Sequence, residues 1–308
     1  MSLFNKQNSD SSRFVILMYH KVGNNYSEFI PALNSKVFEK QIKLLTKLYD
    51  VVSLEDIFSQ RIKDRKRAKA VITFDDGYKC IYKYAFPILK KYKIPANVFL
   101  TVDAVESNQP IWSDLLSCYI GFTKMNALEL SIGENKFHFE LTDRNRRLNS
   151  LNQIKALLKG LQEAQKLLLL EEIKQKLDVD NPDNGILDML SWDEIKEMSE
   201  NNIYFGGHTL THPILTKITL EKAKHEVLNS KEIIEKMIGR PVTTFAYPNG
   251  QSDDFNSDIK KILSESGYKS ACTTVFGKND INTDRYELRR IYTSGNSLFK
   301  FRLRLRKA

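Results

Sequence analysis

Short runs of strand character alternate along most of this chain with amphipathic helical stretches, and that alternation limits its folding options more than any other feature. Residues 14–19, 71–74, 97–101, 203–206, 243–247 and 270–274 are apolar, rich in β-branched or aromatic residues, and bounded by turn-forming sequence. Between them, residues 35–49, 82–92, 220–238 and 253–266 carry apolar side chains at helical spacing. In the third of these, Ala223, Val227, Ile233, Ile234 and Met237 fall near one stripe, and Gly239 supplies a stop. Strand followed by helix, repeated, predicts a mainly parallel sheet or a barrel. In such folds the chemistry gathers at the carboxyl ends of the strands. A length of 308 residues suffices for one large α/β domain or two ordinary ones.

The alternation lapses between about residues 107 and 190. Residues 128–132 and 136–141 flank Gly133-Glu134-Asn135 and predict a β-hairpin. Residues 144–177 then read as a long, charge-laced helical stretch with leucines on one side, and the sequence from Asn181 to Gly185 (NPDNG) marks a turn before the core resumes. The expectation is a single domain over 1–308, with an inserted cap at about 107–190 beside the site and a basic tail at 297–308.

Composition narrows the class. Hydrophobic content of 42% with 28% charged residues fits a soluble globular chain. No apolar run approaches the roughly 18–20 residues that span a bilayer. The polar N-terminus lacks a basic segment followed by an apolar one, so no secretory signal is expected. Cys80, Cys118 and Cys272 are scattered and odd in number, which argues against a disulfide framework or a cysteine zinc site and for a reducing cytosol. The formal charge of +9 suits either plain solubility or an anionic partner such as a phosphate-bearing substrate or an acidic membrane face. No nucleic-acid motif accompanies the charge.

The strand ends hold most of the reactive side chains. Residues 14–19 run into His20, and the stretch VITFDDGYKC at 71–80 delivers Asp75 and Asp76 side by side. Residues 203–206 lead through Gly207 to HTLTH at 208–212, and residues 243–247 lead to Pro248-Asn249-Gly250. His208 and His212, four apart, can turn two imidazoles toward one ion. Adding one aspartate makes an Asp-His-His set that leaves positions open for water and substrate. A cation there relieves the repulsion between the two carboxylates and frees the second to act as a base.

TFDDGY at 73–78, HTLTH at 208–212 and FAYPNG at 245–250, in this order and spacing, resemble the NodB-type polysaccharide deacetylases of carbohydrate esterase family 4. The resemblance covers about residues 13–105 and 190–295. It implies a distorted (β/α)7-type barrel and a divalent metal, most often Zn2+, with Co2+, Ni2+ or Fe2+ also accepted by such ligands. It makes Asp75 the catalytic base and Asp76, His208 and His212 the metal ligands. The implied reaction hydrolyses an N-acetyl amide on a sugar, and an acid must protonate the departing amine.

Two motifs depart from the commonest form of the family. Its acid is a histidine in a Leu-x-His motif near the C-terminus, but here no histidine follows His225. His20, in LMYHKV, fills that role if the barrel is permuted, and this start is similar to deacetylases of poly-N-acetylglucosamine with the histidine on the first strand. The third motif is normally Arg-x-Pro-Tyr, whose arginine steadies the catalytic aspartate; Ala246 stands at that arginine's place. YELRRI at 286–291 offers Arg289 and Arg290, which point to opposite faces if the segment is a strand, and Arg290 is favoured. The backbone N–H near Asn249 becomes the oxyanion donor, since Pro248 has none. Tyr247 is placed along the sugar site. Trp112 is either a sugar-stacking residue or a core tryptophan of the insertion. His138 and His225 are expected on the surface, and Ser191 with Glu194 forms a capping box ahead of Trp192.

The tail alternates Phe299, Phe301, Leu303 and Leu305 with Lys300, Arg302, Arg304 and Arg306. It is expected as an edge strand with a basic face, or as a peripheral contact with anionic lipid. The sequence thus points to a cytoplasmic deacetylase at the inner membrane face, acting on an N-acetylated glycan that is lipid-phosphate- or nucleotide-linked. Rival readings are a deformylase, an O-acetyl esterase or an amidase on the same metal site, and a non-catalytic glycan- or membrane-binding protein.

Overall fold

The computed structural model describes residues 13–24, 27–58, 67–179, 187–293, 295 and 297–308. Twelve strands are formed by these residues: β1 (Phe14–Tyr19), β2 (Val22–Gly23), β3 (Leu33–Asn34), β4 (Asp50–Val51), β5 (Lys69–Phe74), β6 (Ala96–Leu100), β7 (Ala127–Ile132), β8 (Asn135–Glu140), β9 (Ile203–Gly207), β10 (Thr244–Ala246), β11 (Ser270–Phe276) and β12 (Leu288–Tyr292). The α-helices are α1 (Ser35–Leu48), α2 (Leu54–Ile57), α3 (Phe86–Tyr92), α4 (Val102–Ser107), α5 (Trp112–Phe122), α6 (Arg144–Gly160), α7 (Glu163–Leu177), α8 (Trp192–Ser199), α9 (Leu220–Ile238), α10 (Ser257–Glu265) and α11 (Leu298–Lys307).

Strands β1, β12, β11, β10, β9, β6 and β5 pair in that order, and β5 pairs back onto β1, so the seven close into a parallel barrel. The closing seam runs in register from Phe14 against Lys69 to Tyr19 against Phe74. Closure explains the apolar runs. A parallel strand with helices outside and side chains inside is buried on both faces, so it reads as continuous hydrophobic sequence. All six residues of β1 are buried. Ile16, Val71, Phe99, Ala246, Cys272 and Leu288 pack in one cluster, while Leu17, Ile72, Val98 and Phe245 pack with the surrounding helices in another.

The insertion has a core of its own, built from α5, the β7–β8 hairpin, α6 and α7. The long helical stretch expected over 144–177 is divided into two helices, because the chain turns extended at Leu161 and Gln162, just after Gly160. A buried Leu151, Ile154 and Leu158 from α6 meets Leu169, Leu170 and Ile173 from α7, which a straight rod could not achieve. Trp112 is 8% exposed inside this cluster, with Lys166 Nζ 4.8 Å from its ring centre. It is a core residue of the insertion and does not present a face for a sugar. The turn expected at Asn181–Gly185 lies outside the described residues.

The tail corrects a second expectation. It is helix α11, capped by Ser297, whose hydroxyl accepts from the Lys300 N–H at 3.3 Å. Phe301 and Leu305, four apart, are buried on the barrel's helical layer, whereas Phe299 is 70% exposed. An alternating pattern also places every fourth residue on one helical face, and packing selected the helix. The capping box at Ser191 and Glu194, the hairpin and the exposed positions of His138 and His225 are as expected.

Candidate active site

Strand β5 ends by placing Asp75 and Asp76 in one buried corner, each 2% exposed. Asp76 has φ of 75° and Gly77 has φ of 89°, so the chain leaves β5 in a left-handed turn. Glycine meets that demand freely at 77, whereas Asp76 accepts strain of a kind that gathers at functional sites. The turn sends the two carboxylates to different partners.

Asp75 faces Arg290. Nη1 and Nη2 of the guanidinium reach Oδ1 and Oδ2 at 2.7 and 2.8 Å, a bidentate pair. Arg290 also donates from Nε to the Thr273 carbonyl at 2.7 Å and from Nη1 to Thr73 Oγ1 at 3.2 Å. Arg289, its neighbour on β12, is exposed, so strand alternation settles which arginine turns inward. Burial pushes the Asp75 carboxyl up, but Arg290 and the nearby imidazoles outweigh it and hold the group below the ordinary carboxylate range. His20, just past β1, sets Nε2 3.9 Å from Asp75 Oδ2 while its side chain stays 36% exposed.

Asp76 faces the two histidines. Its Oδ1 lies 3.5 Å from His208 Nε2 and 3.6 Å from His212 Nε2. His208 Nδ1 lies 2.7 Å from the Ala246 carbonyl, which only accepts, so Nδ1 carries a hydrogen and Nε2 is the nitrogen left to face Asp76 and, once deprotonated, a metal. Burial lowers the His208 pKa, but Asp76 and Asp75 outweigh it and hold the imidazole above its usual value. Burial and the neighbouring His208 instead push His212 down to about 3. Desolvation raises Asp76, yet the surrounding imidazoles leave it well below the carboxylate range.

One oxygen and two nitrogens from these residues lie within 4.8 Å of one another, all on buried side chains. Anionic oxygen with two imidazoles is a donor set that suits zinc and its divalent neighbours. Among the described residues, His212 Nδ1 is buried without a hydrogen-bond partner, while its Nε2 faces Asp76. The residues fit a divalent metal.

The remaining expected residues divide. Asn249 sits in the loop after β10 with φ of 60°, its side chain donating to Asp254 Oδ2 at 2.6 Å and its carbonyl accepting from Thr274 Oγ1 at 2.7 Å. Tyr247 does not line the site. It is 1% exposed, stacks on Phe255 at 4.5 Å between ring centres, and spends its hydroxyl on the Tyr286 carbonyl.

Other residues join the site without an obvious sequence signal. Lys21, which follows His20, bonds Asp114 of α5, and the Tyr78 hydroxyl donates to the same carboxylate. This buried trio ties the loops after β1 and β5 to the insertion; the available hint was that Tyr78 closes the TFDDGY motif and Lys21 follows His20. Tyr292, at the end of β12, is 45% exposed and meets the His20 ring edge-on at 6.3 Å.

Comparison with known proteins bears on the fold and the family. A family model described as polysaccharide deacetylase matches residues 62–271. The Bacillus subtilis (strain 168) protein YxkH, a polysaccharide deacetylase by name, is 23% identical over 286 residues, covering 92% of this chain and 72% of its own. A Staphylococcus aureus (strain MSSA476) poly-beta-1,6-N-acetyl-D-glucosamine N-deacetylase is 36% identical over 100 residues, which is 27% of this chain and 34% of that enzyme. Among solved structures, the Streptococcus pyogenes deacetylase PplD superposes with a TM-score of 0.61 at 20% identity, over 91% of this chain and 92% of that one. IcaB from Ammonifex degensii gives 0.60 at 18% identity, over 93% and 94%. These likenesses carry the fold, and the family match spans both the aspartate pair of β5 and the two histidines after β9: the chain belongs to the polysaccharide deacetylase family.

Proposed function

We propose that this protein is a metal-dependent hydrolase that removes the N-acetyl group from an N-acetylated sugar of a bacterial surface polysaccharide or lipopolysaccharide precursor. The observation that carries the reading is the division of labour between adjacent carboxylates. Asp76 turns to His208 and His212, while Asp75 turns away to a guanidinium fork and stays ionised beside them.

Asp76, His208 and His212 would hold the ion, with Zn2+ the best match to the donors. When bound, it supplies a Lewis acid that polarises the acetyl carbonyl and acidifies water. Asp75, kept ionised and aimed by Arg290, accepts the proton of the attacking water. The backbone N–H of Asn249 is the proposed partner of the developing oxyanion. His20, across from Asp75, donates its proton to the departing amine, which would otherwise be too basic to leave. The products are acetate and a free amino sugar.

A cytoplasmic setting at the inner membrane face, with the glycan on a lipid-phosphate or nucleotide carrier, completes the proposal. Three features support it: Cys80, Cys118 and Cys272 are free thiols, the formal charge is +9, and α11 exposes Arg302, Arg306 and Phe299. Among the described residues, no helix is long and apolar enough to cross a membrane. The test is product analysis with zinc-loaded protein on N-acetylglucosamine oligomers, their N-formyl analogues and O-acetyl esters. Acetate matched by new primary amine is the expected result. Faster formate release, or acetate without amine, would move the activity to a deformylase or an esterase.

A further inference from the structure

The loop that carries both histidines is not a helix, although its spacing would suit one. Thr209 has φ of 69° and His212 has φ of 63°, two left-handed residues without glycine in a five-residue segment. A loop so strained holds its shape only if its surroundings dictate it. Bonds from two directions do so here. From the barrel mouth, the N–H groups of Val102 and Asp103, at the start of α4, donate to the carbonyls of Thr209 and Leu210 at 3.2 and 3.0 Å. From α9 comes one carboxylate.

Glu226, on α9, is 2% exposed. Its Oε2 accepts from the backbone N–H groups of Leu210 at 2.8 Å and Thr211 at 2.9 Å, and its Oε1 accepts from Thr211 Oγ1 at 2.7 Å. A buried carboxylate needs such donors to stay solvated, and three from one short loop supply them. Its neighbours Lys224 and His225 are exposed, so Glu226 is the acidic residue that α9 turns inward at this point.

We propose that Glu226 is a positioning residue for the metal ligands: it fixes the loop in the shape that brings His208 and His212 to Asp76. This rests on the proposed metal-dependent reading of the site. Glu226 is not one of the three side chains that would hold the metal. By clamping two of the three residues between the histidines, it sets the spacing of the imidazoles before an ion arrives. The entropy of ordering the loop is then met on folding and not on binding.

The test is zinc affinity, measured by competition with a chromophoric chelator, together with thermal melts of the metal-free proteins. Glu226→Gln keeps the size of the side chain but trades an acceptor for a donor against the loop's own donors. The expected result is a zinc affinity weakened by about tenfold or more, as for other outer-shell partners, with the metal-free variant still melting cooperatively. Glu226→Asp, which restores the carboxylate one methylene short, should recover part of the loss. A folded Glu226→Gln variant that binds zinc within about twofold of wild type would overturn the inference while leaving the metal site standing. Wild-type protein that takes up no zinc would overturn the proposed function, and this inference with it.

Discussion

Arg290 grips both oxygens of Asp75 from the far end of the chain, 215 positions away, at 2.7 and 2.8 Å. Ala246 leaves the third motif without a cation, and the guanidinium reaches the same carboxylate from β12 instead. Both groups are buried, so each is the other's principal compensation for leaving water.

Arg290→Met should therefore cost about 3–5 kcal/mol of stability, because it strands a buried carboxylate. The sign of its pH dependence is specific. In wild type the folded pKa of Asp75 is depressed, so its contribution is present at neutral pH and lost as pH falls through the folded value. In the variant, burial still raises the Asp75 pKa and only the His208 and His20 imidazoles oppose it, so the folded pKa should rise toward or above the unfolded one. Its deficit should shrink as pH drops, in urea melts under chelator. The acid limb of kcat/KM should move up by about one pH unit or more.

His20→Ala tests the acid. Amide turnover should fall by about 10²–10⁴-fold, whereas an activated aryl acetate, whose leaving group departs without a proton, should lose far less. Rates on the two substrates, compared as a ratio, check the assignment. Equal losses on both would remove His20 from the acid's role.

Metal uptake should release protons in a way that distinguishes the two ligands. His208 is held above the usual imidazole pKa, while His212 is pushed down to about 3. Metals take neutral imidazole. Near pH 6, zinc binding should displace about one proton, from His208 and not from His212. Calorimetry in buffers of different ionisation enthalpy reads that number directly, and about two protons would contradict the asymmetry.

Trp112→Ala should act on stability rather than on sugar binding. Emptying its place in the core of the insertion should cost about 3–5 kcal/mol, seen as a lowered Tm, with little change in KM for oligomers.

Much of the site was legible because strand ends are short and directional. Apolar runs that stop at Asp75-Asp76, at His20 and before HTLTH leave few places for those side chains, and period-two alternation chose Arg290 over Arg289. The same logic was silent where a residue's neighbours come from elsewhere. Tyr247 and Trp112 look like sugar-binding aromatics, yet Phe255 and the insertion's own helices bury them. The tail's alternation fits strand and helix alike, and only the docking of Phe301 and Leu305 decides. Glu226 sits in a lysine-rich helix where an acidic residue reads as solvent-facing, and nothing local shows the loop above it.

The central claim is that Asp75 is a base beside a metal that it does not hold. The most direct measurement is acetate release from N-acetylglucosamine oligomers by zinc-loaded Asp75→Asn, with its zinc content determined in the same sample and wild type with and without chelator alongside. The account predicts chelator-sensitive release by wild type, and a variant that keeps its zinc but loses turnover by about 10²–10⁴-fold. A variant that loses its zinc, or that keeps both zinc and near-wild-type release, would contradict it.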